Sequence, residues 1–134
     1  MADQTLKILI VDDDRRVAAA LERALRKHKA VVETDSAAAA RRLREGQWFD
    51  VVLSDNQMPE VTGLQLLELA RRMPDPPIFV LISGDDNLGP NEADAMLAKP
   101  FKMDELSRLI TAMSERKAKA PTQPIGRDSM RQVA

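Results

Sequence analysis

The sequence predicts an α/β fold in which a parallel sheet is covered by helices on both faces. Two observations carry this. Short, almost wholly apolar runs alternate with segments of helical periodicity, and four of those runs stop abruptly at polar residues. A strand that is apolar on both faces suits a doubly covered sheet, and the intervening helices supply the long crossovers that parallel pairing needs.

The elements follow in order. The first strand, Leu6 to Val11, ends at Asp12, Asp13 and Asp14. Arg15 to Lys29 reads as a helix with Val17, Leu21, Ala24, Leu25 and His28 on one stripe, capped by Asp14 or a neighbour. Ala30 to Glu33 is a short strand. Ser36 to Glu45 is an alanine-rich helix, capped by Asp35 or Ser36 and closed by Gly46, with Ala37, Ala40 and Leu43 as a narrow apolar face. Trp48 packs ahead of the third strand, Val51 to Leu53, which ends at Ser54 and Asp55. Gly63 to Met73 is a helix with Leu66, Leu67, Ala70 and Met73 inward, stopped by Pro74. A fourth run, Pro77 to Ile82, ends at Ser83 and Gly84, and a fifth, Ala95 to Ala98, at Lys99 and Pro100. Asp104 to about Lys119 is the last helix, its stripe made by Leu106, Leu109, Ile110 and Met113. Beyond Ala118 prolines mix with polar residues and periodicity is lost, so residues 118–134 read as a flexible tail too short for a second domain.

Composition narrows the function. With 134 residues the chain suits one domain. Twenty Lys and Arg against 21 Asp and Glu give a net charge of -1, so no global field selects nucleic acid or an anionic membrane. No cysteine is present, which removes disulfides, thiolate metal sites and cysteine nucleophiles. No apolar run approaches the roughly 20 residues of a membrane span. A cytoplasmic protein is expected.

The strand ends carry the chemistry. Asp12, Asp13 and Asp55 arrive at one sheet edge, where like charges raise one another's pKa unless a cation sits among them. Hard oxygen donors favour Mg²⁺, which often shares its shell with phosphate. Ser83 and Lys99 bring a hydroxyl and an ammonium to the same edge.

In this order, Val11-Asp12-Asp13, Asp55 with Met58-Pro59 and Gly63, Ser83-Gly84 and Lys99-Pro100-Phe101 make the chain resemble the receiver domain of bacterial two-component response regulators, of the single-domain chemotaxis-regulator-like type. The likeness covers roughly Leu6 to Arg116. It implies a flavodoxin-like sheet of five strands in order 2-1-3-4-5, with the site at the strands' C-terminal edge. It also implies that Asp55 accepts a phosphoryl group from a sensor histidine kinase or phosphotransfer protein. Mg²⁺ would be held by Asp12, Asp13, Asp55 and the backbone carbonyl of Gln57. Lys99 and Ser83 would contact the phosphoryl oxygens, and a cis Lys99–Pro100 bond would aim the lysine. Such a protein is no ordinary enzyme; it catalyses at most its own phosphorylation and dephosphorylation, and phosphorylation switches its affinity for a downstream protein. The receiver is expected over residues 1–117.

The chain departs from that family in two places. Only Gly84 to about Glu92 separates strands four and five, with Gly84, Gly89 and Pro90 inside, so helix 4 is expected to be absent or reduced to a turn. Ile78, Val80 and Ile82, or Phe79 and Leu81, would then lose cover, leaving a strand 4/5 face for a homodimer, a partner helix, or the tail through Ile125, Met130 or Val133. The family's aromatic switch position falls on Met96. The alternative reading is therefore a receiver-fold interaction or dimerisation module that works without phosphorylation.

Overall fold

The computed structural model describes residues 5–85 and 88–119. In chain order it contains β1 (Lys7–Val11), α1 (Arg15–Ala24), β2 (Lys29–Glu33), α2 (Ser36–Arg44), β3 (Val51–Asp55), α3 (Gly63–Arg71), β4 (Ile78–Ser83), β5 (Ala95–Ala98) and α4 (Met103–Lys119). The strands form one parallel sheet in the order β2-β1-β3-β4-β5. Among the described residues no helix is long and apolar enough to cross a membrane.

Each early helix starts where a side chain can satisfy its free N–H groups. The Asp14 carboxylate accepts from the N–H of Arg16 and Val17, and Asp35 does the same for Ala37 and Ala38. Thr62 and Gln65 form a reciprocal capping box at the start of α3.

Strand alternation divides the core into two layers. Ile8, Ile10, Val51, Leu53, Val80 and Ile82 face Leu21 and Leu25 of the α1 segment and Leu106 and Ile110 of α4. Leu9, Val11, Val52, Phe79 and Leu81 face Ala40 and Leu43 of α2 and Leu66 and Ala70 of α3. Complete burial of one such Leu, Ile or Phe is worth about 1.5–3 kcal/mol. The site edge is thus fixed by a sheet that is packed on both sides.

Several expectations are corrected here. The fold was expected with helix 4 absent or reduced to a turn, but the fourth helix is complete: α4 runs 17 residues, and Leu106, Ile110 and Met113 are buried. The apolar stripe that follows β5 supplies a full-length cover beside α1, so the fold does not fall a helix short on that layer. The crossover from β4 to β5 is irregular among its described residues, and its Leu88 and Ala93 pack onto the α2/α3 layer. Strand four does not lose its cover either, since Phe79, Val80 and Leu81 are 0% exposed and Ile82 is 1% exposed.

Helix α1 ends at Ala24, well before Lys29, because the chain must turn to pair with β1: Lys29 N–H donates to Leu6 C=O at 2.8 Å. His28 therefore leaves the helical stripe, and its Nδ1 accepts from the Leu6 N–H at 3.1 Å. Trp48 is half-exposed, its Nε1–H donating to Asp75 at 3.3 Å. From residue 120 on, the expected tail, with Ile125, Met130 and Val133, lies outside the described residues.

Gly63 shows how closely the second layer approaches the site strand. A Cβ there would stand 2.6 Å from the Asp55 carbonyl oxygen, 2.7 Å from Leu81 Cδ1 and 2.9 Å from Asn56 Cα. Gly63→Ala is expected to destabilise the protein by about 1–3 kcal/mol in chemical denaturation, because backbone would have to move. An unchanged midpoint would show that α3 does not sit where described.

Candidate functional site

Register brings the polar strand ends together. Val11 pairs with Ser54, Asp55 with Ile82 and Ser83 with Ala98, so Asp12, Asp55, Ser83 and Lys99 follow neighbouring strands out of the same edge. Ligand atoms of Asp12, Asp13 and Asp55 all lie within 4.8 Å of one another. Asp12 and Asp55 are buried and Asp13 is exposed, giving the cluster a closed floor and an open side.

One cation is already present. Lys99 Nζ lies 2.7 Å from Asp55 Oδ1, a charge-assisted contact. Burial works against the Lys99 charge, but the bond to Asp55 and the fields of Asp55, Asp12 and Asp13 outweigh it and raise its pKa above the usual lysine value. The Lys99–Pro100 peptide is cis.

Asp12 is less well compensated. Its Oδ1 accepts from the Asp14 N–H at 2.9 Å, but its buried Oδ2 has no hydrogen-bond partner. Burial, first, and then the nearby Asp55 and Asp13 charges push its carboxyl up to about 6, against the opposing Asp14 N–H and Lys99. An orphaned buried carboxylate oxygen among three acids fits a divalent cation with hard oxygen ligands. The donor set is all carboxylate, which suits Mg²⁺ better than softer metals.

Ser83 is buried at the end of β4, its Oγ accepting from the Asp85 N–H at 2.9 Å. Gln57 sits exposed on the loop just after Asp55. The structure thus gathers Asp12, Asp13, Asp55 and Lys99 into direct proximity, with Ser83 on the same edge and Gln57 on the adjoining loop.

Three supporting residues were not legible as such in the sequence. Asn56 holds the start of α3 through its Oδ1, which accepts from Leu64 N–H at 3.0 Å, while its backbone C=O accepts from Gly63 N–H. Ser36, readable only as a helix start, reaches across from α2: its Oγ donates to Pro59 C=O at 2.6 Å and accepts from Val61 N–H at 3.2 Å. This grip braces a loop that includes Glu60 at φ 70°, a left-handed conformation uncommon outside glycine. Asp94 ties the crossover to the sheet by accepting from Phe79 N–H at 2.7 Å, and Arg71 of α3 pairs with it at 3.4 Å.

Comparison with known proteins agrees with the geometry. The model of the response regulator receiver domain family matches residues 8–111, and the chain belongs to that family. It is 34% identical over 110 residues to the hydrogenase transcriptional regulatory protein HoxA of Bradyrhizobium diazoefficiens, covering 77% of this chain and 23% of that one. Against the transcriptional regulatory protein PrrA of Mycobacterium tuberculosis the identity is 36% over 124 residues, covering 87% and 53%. The chain thus spans only a quarter to about half of the length of these relatives. Among solved structures, a receiver domain protein from Methanospirillum hungatei superposes with a TM-score of 0.76 at 22% identity, covering 87% of this chain and 98% of that one. The receiver domain of the Pseudomonas aeruginosa sensor histidine kinase PA1611, solved with magnesium coordinated in its active-site cleft, gives 0.71 at 23%, covering 84% and 99%. The clustered Asp12, Asp13 and Asp55 match the phosphoacceptor and Mg²⁺ pocket of response regulators.

The raised Asp12 value fixes a pH dependence. An acid whose folded pKa of about 6 exceeds its unfolded value of 3.8 contributes stability that is fully present below 3.8 and lost as pH rises through about 6. In metal-free solution near neutral pH, Asp12→Asn is therefore expected to be more stable than the parent by on the order of 2–3 kcal/mol, the gap closing toward about pH 4. Urea denaturation at the two pH values checks this, and a less stable Asn variant at neutral pH would contradict it.

Proposed function

We propose that this chain is a phosphorylated receiver: Asp55 accepts a phosphoryl group from the phosphohistidine of a sensor histidine kinase or phosphotransfer protein, and the change alters affinity for a downstream protein. The observation that carries the reading is the Lys99–Asp55 contact at 2.7 Å inside a three-carboxylate cluster. An interaction module has no need to hold three acids and a lysine in this geometry, so the phosphorylation-independent alternative leaves the cluster without a reason.

In the transfer, an Asp55 carboxylate oxygen forms the new O–P bond as the P–N bond to the kinase imidazole breaks, and the imidazole leaves with the bonding electrons. Asp12, Asp13, Asp55 and the Gln57 carbonyl are the groups that would hold Mg²⁺, which when bound neutralises charge on the phosphoryl oxygens. Lys99, released from its contact with Asp55, turns its ammonium to a phosphoryl oxygen. Ser83 gives up the Asp85 N–H bond or shares it, and its hydroxyl donates to another oxygen. Turnover of external substrates is not part of the reading. The receiver unit is assigned to residues 1–117 and the protein to the cytoplasm. A homodimer through the strand 4/5 face would use exposed residues of β5 such as Met96, which is 46% exposed.

Incubation with Mg²⁺ and a small acyl phosphate donor, read by intact mass, tests the proposal. One added phosphoryl group is expected, absent in Asp55→Asn and at least tenfold slower to appear in Asp13→Ala. Lys99→Ala should retain the fold and the metal but lose the change in partner affinity. Equal phosphorylation of Asp55→Asn and the parent would sink the assignment.

A further inference from the structure

Charge is unevenly distributed over this chain. Residues 14–45 contain nine Lys or Arg and five Asp or Glu, a net +4, although the whole chain is -1. The excess concentrates at the far end of α1. Arg23, Arg26, Lys27 and Lys29 are all exposed, and no ion pair among the described residues includes any of them. Arg23, Arg26 and Lys29 border an open groove of about 620 Å³ whose floor includes Ala19 and Ala30, with Glu22 its one acid.

This surface does not belong to the phosphoacceptor site. Helix α1 begins beside Asp12–Asp14 at the C-terminal edge of the sheet and runs to the opposite edge, where Lys29 pairs in register with Lys7 at the start of β1. Ten residues of helix rise about 15 Å. Arg23 lies in the last turn of α1, and Arg26, Lys27 and Lys29 follow it, so their role cannot be to neutralise the carboxylate cluster at the helix start.

We propose that this groove docks an acidic segment of a partner protein, independently of the phosphorylation state of Asp55. Unpaired cations that converge on a shallow groove favour an anionic occupant through complementary charge. The small side chains of Ala19 and Ala30 permit a backbone to approach closely. Of the residues that border the groove His28 alone carries an aromatic ring, and it is half-buried with its Nδ1 accepting from Leu6 N–H, so the groove lacks the row of exposed stacking platforms that holds single-stranded nucleic acid. An acidic peptide fits these features better than a polynucleotide does.

The test uses the full chain, fluorescence anisotropy and three labelled probes of equal net charge: a Glu-rich amphipathic helical peptide, a scrambled peptide of the same composition, and a short DNA duplex. The patterned peptide should bind more tightly than either other probe, weaken by about tenfold when salt rises from physiological to several times that level, and bind Asp55→Asn equally well. Arg23→Glu/Arg26→Glu and, separately, Lys27→Glu/Lys29→Glu should each lower its affinity at least tenfold at an unchanged thermal midpoint. Tighter binding of DNA, equal binding of the scrambled peptide, or undiminished binding to both folded variants would overturn the proposal. Should one double variant unfold, the other decides the outcome.

Discussion

Three carboxylates with ligand atoms within 4.8 Å of one another are the constraint on which the rest of this structure depends. A parallel sheet brings the ends of neighbouring strands to the same edge, and here those ends are acidic. In the low dielectric of a partly buried edge, such charges repel strongly unless protonated or compensated. Lys99 compensates Asp55, whereas Asp12 is left with an orphaned oxygen and a carboxyl that holds its proton to about pH 6. The site is therefore built under electrostatic tension that a bound cation would relieve.

The surrounding scaffold is arranged to keep that tension in place. Leu9 and Val11 on one face of β1, and Ile8 and Ile10 on the other, are fully buried, so the strand cannot shift to relax the acids. Gly63 lets α3 press against the Asp55 carbonyl, Asn56 fixes the start of that helix, and Ser36 braces the loop between them. Each contact joins an element from the α2/α3 layer to Asp55 or the segment that follows it. Preorganisation of this kind lets the charge rearrangement act on a site that does not collapse.

Much of this was legible in the sequence, for identifiable reasons. Apolar runs ending in Asp, Ser and Lys marked the strands and the edge at once, because burial on both faces leaves no other reading of Ile8 to Val11 or Phe79 to Ile82. The resemblance supplied the strand order, which alternation cannot give. Other features were hidden. The end of α1 depended on pairing between Lys29 and Leu6, a tertiary contact that overrode a helical pattern extending to His28. The short crossover suggested a missing helix 4 and a bare face, yet α4 is complete and β4 is buried, because chain length between strands does not reveal what packs onto them. Ser36 gave only a local signal of capping and Asn56 none, while their work is done across more than one element.

The need of the acidic cluster for a cation is read from the response of stability to Mg²⁺. The unfolding free energy of the parent protein should rise on addition of millimolar Mg²⁺ near neutral pH, by about 1 kcal/mol or more when the ion exceeds its dissociation constant several-fold. The increment should shrink well below pH 6, where Asp12 is protonated and metal and proton compete for the same oxygens. A stability that does not respond to Mg²⁺ at neutral pH, or that gains the same increment at pH 4.5 as at 7.5, would show that the cluster of Asp12, Asp13 and Asp55 is not a cation site.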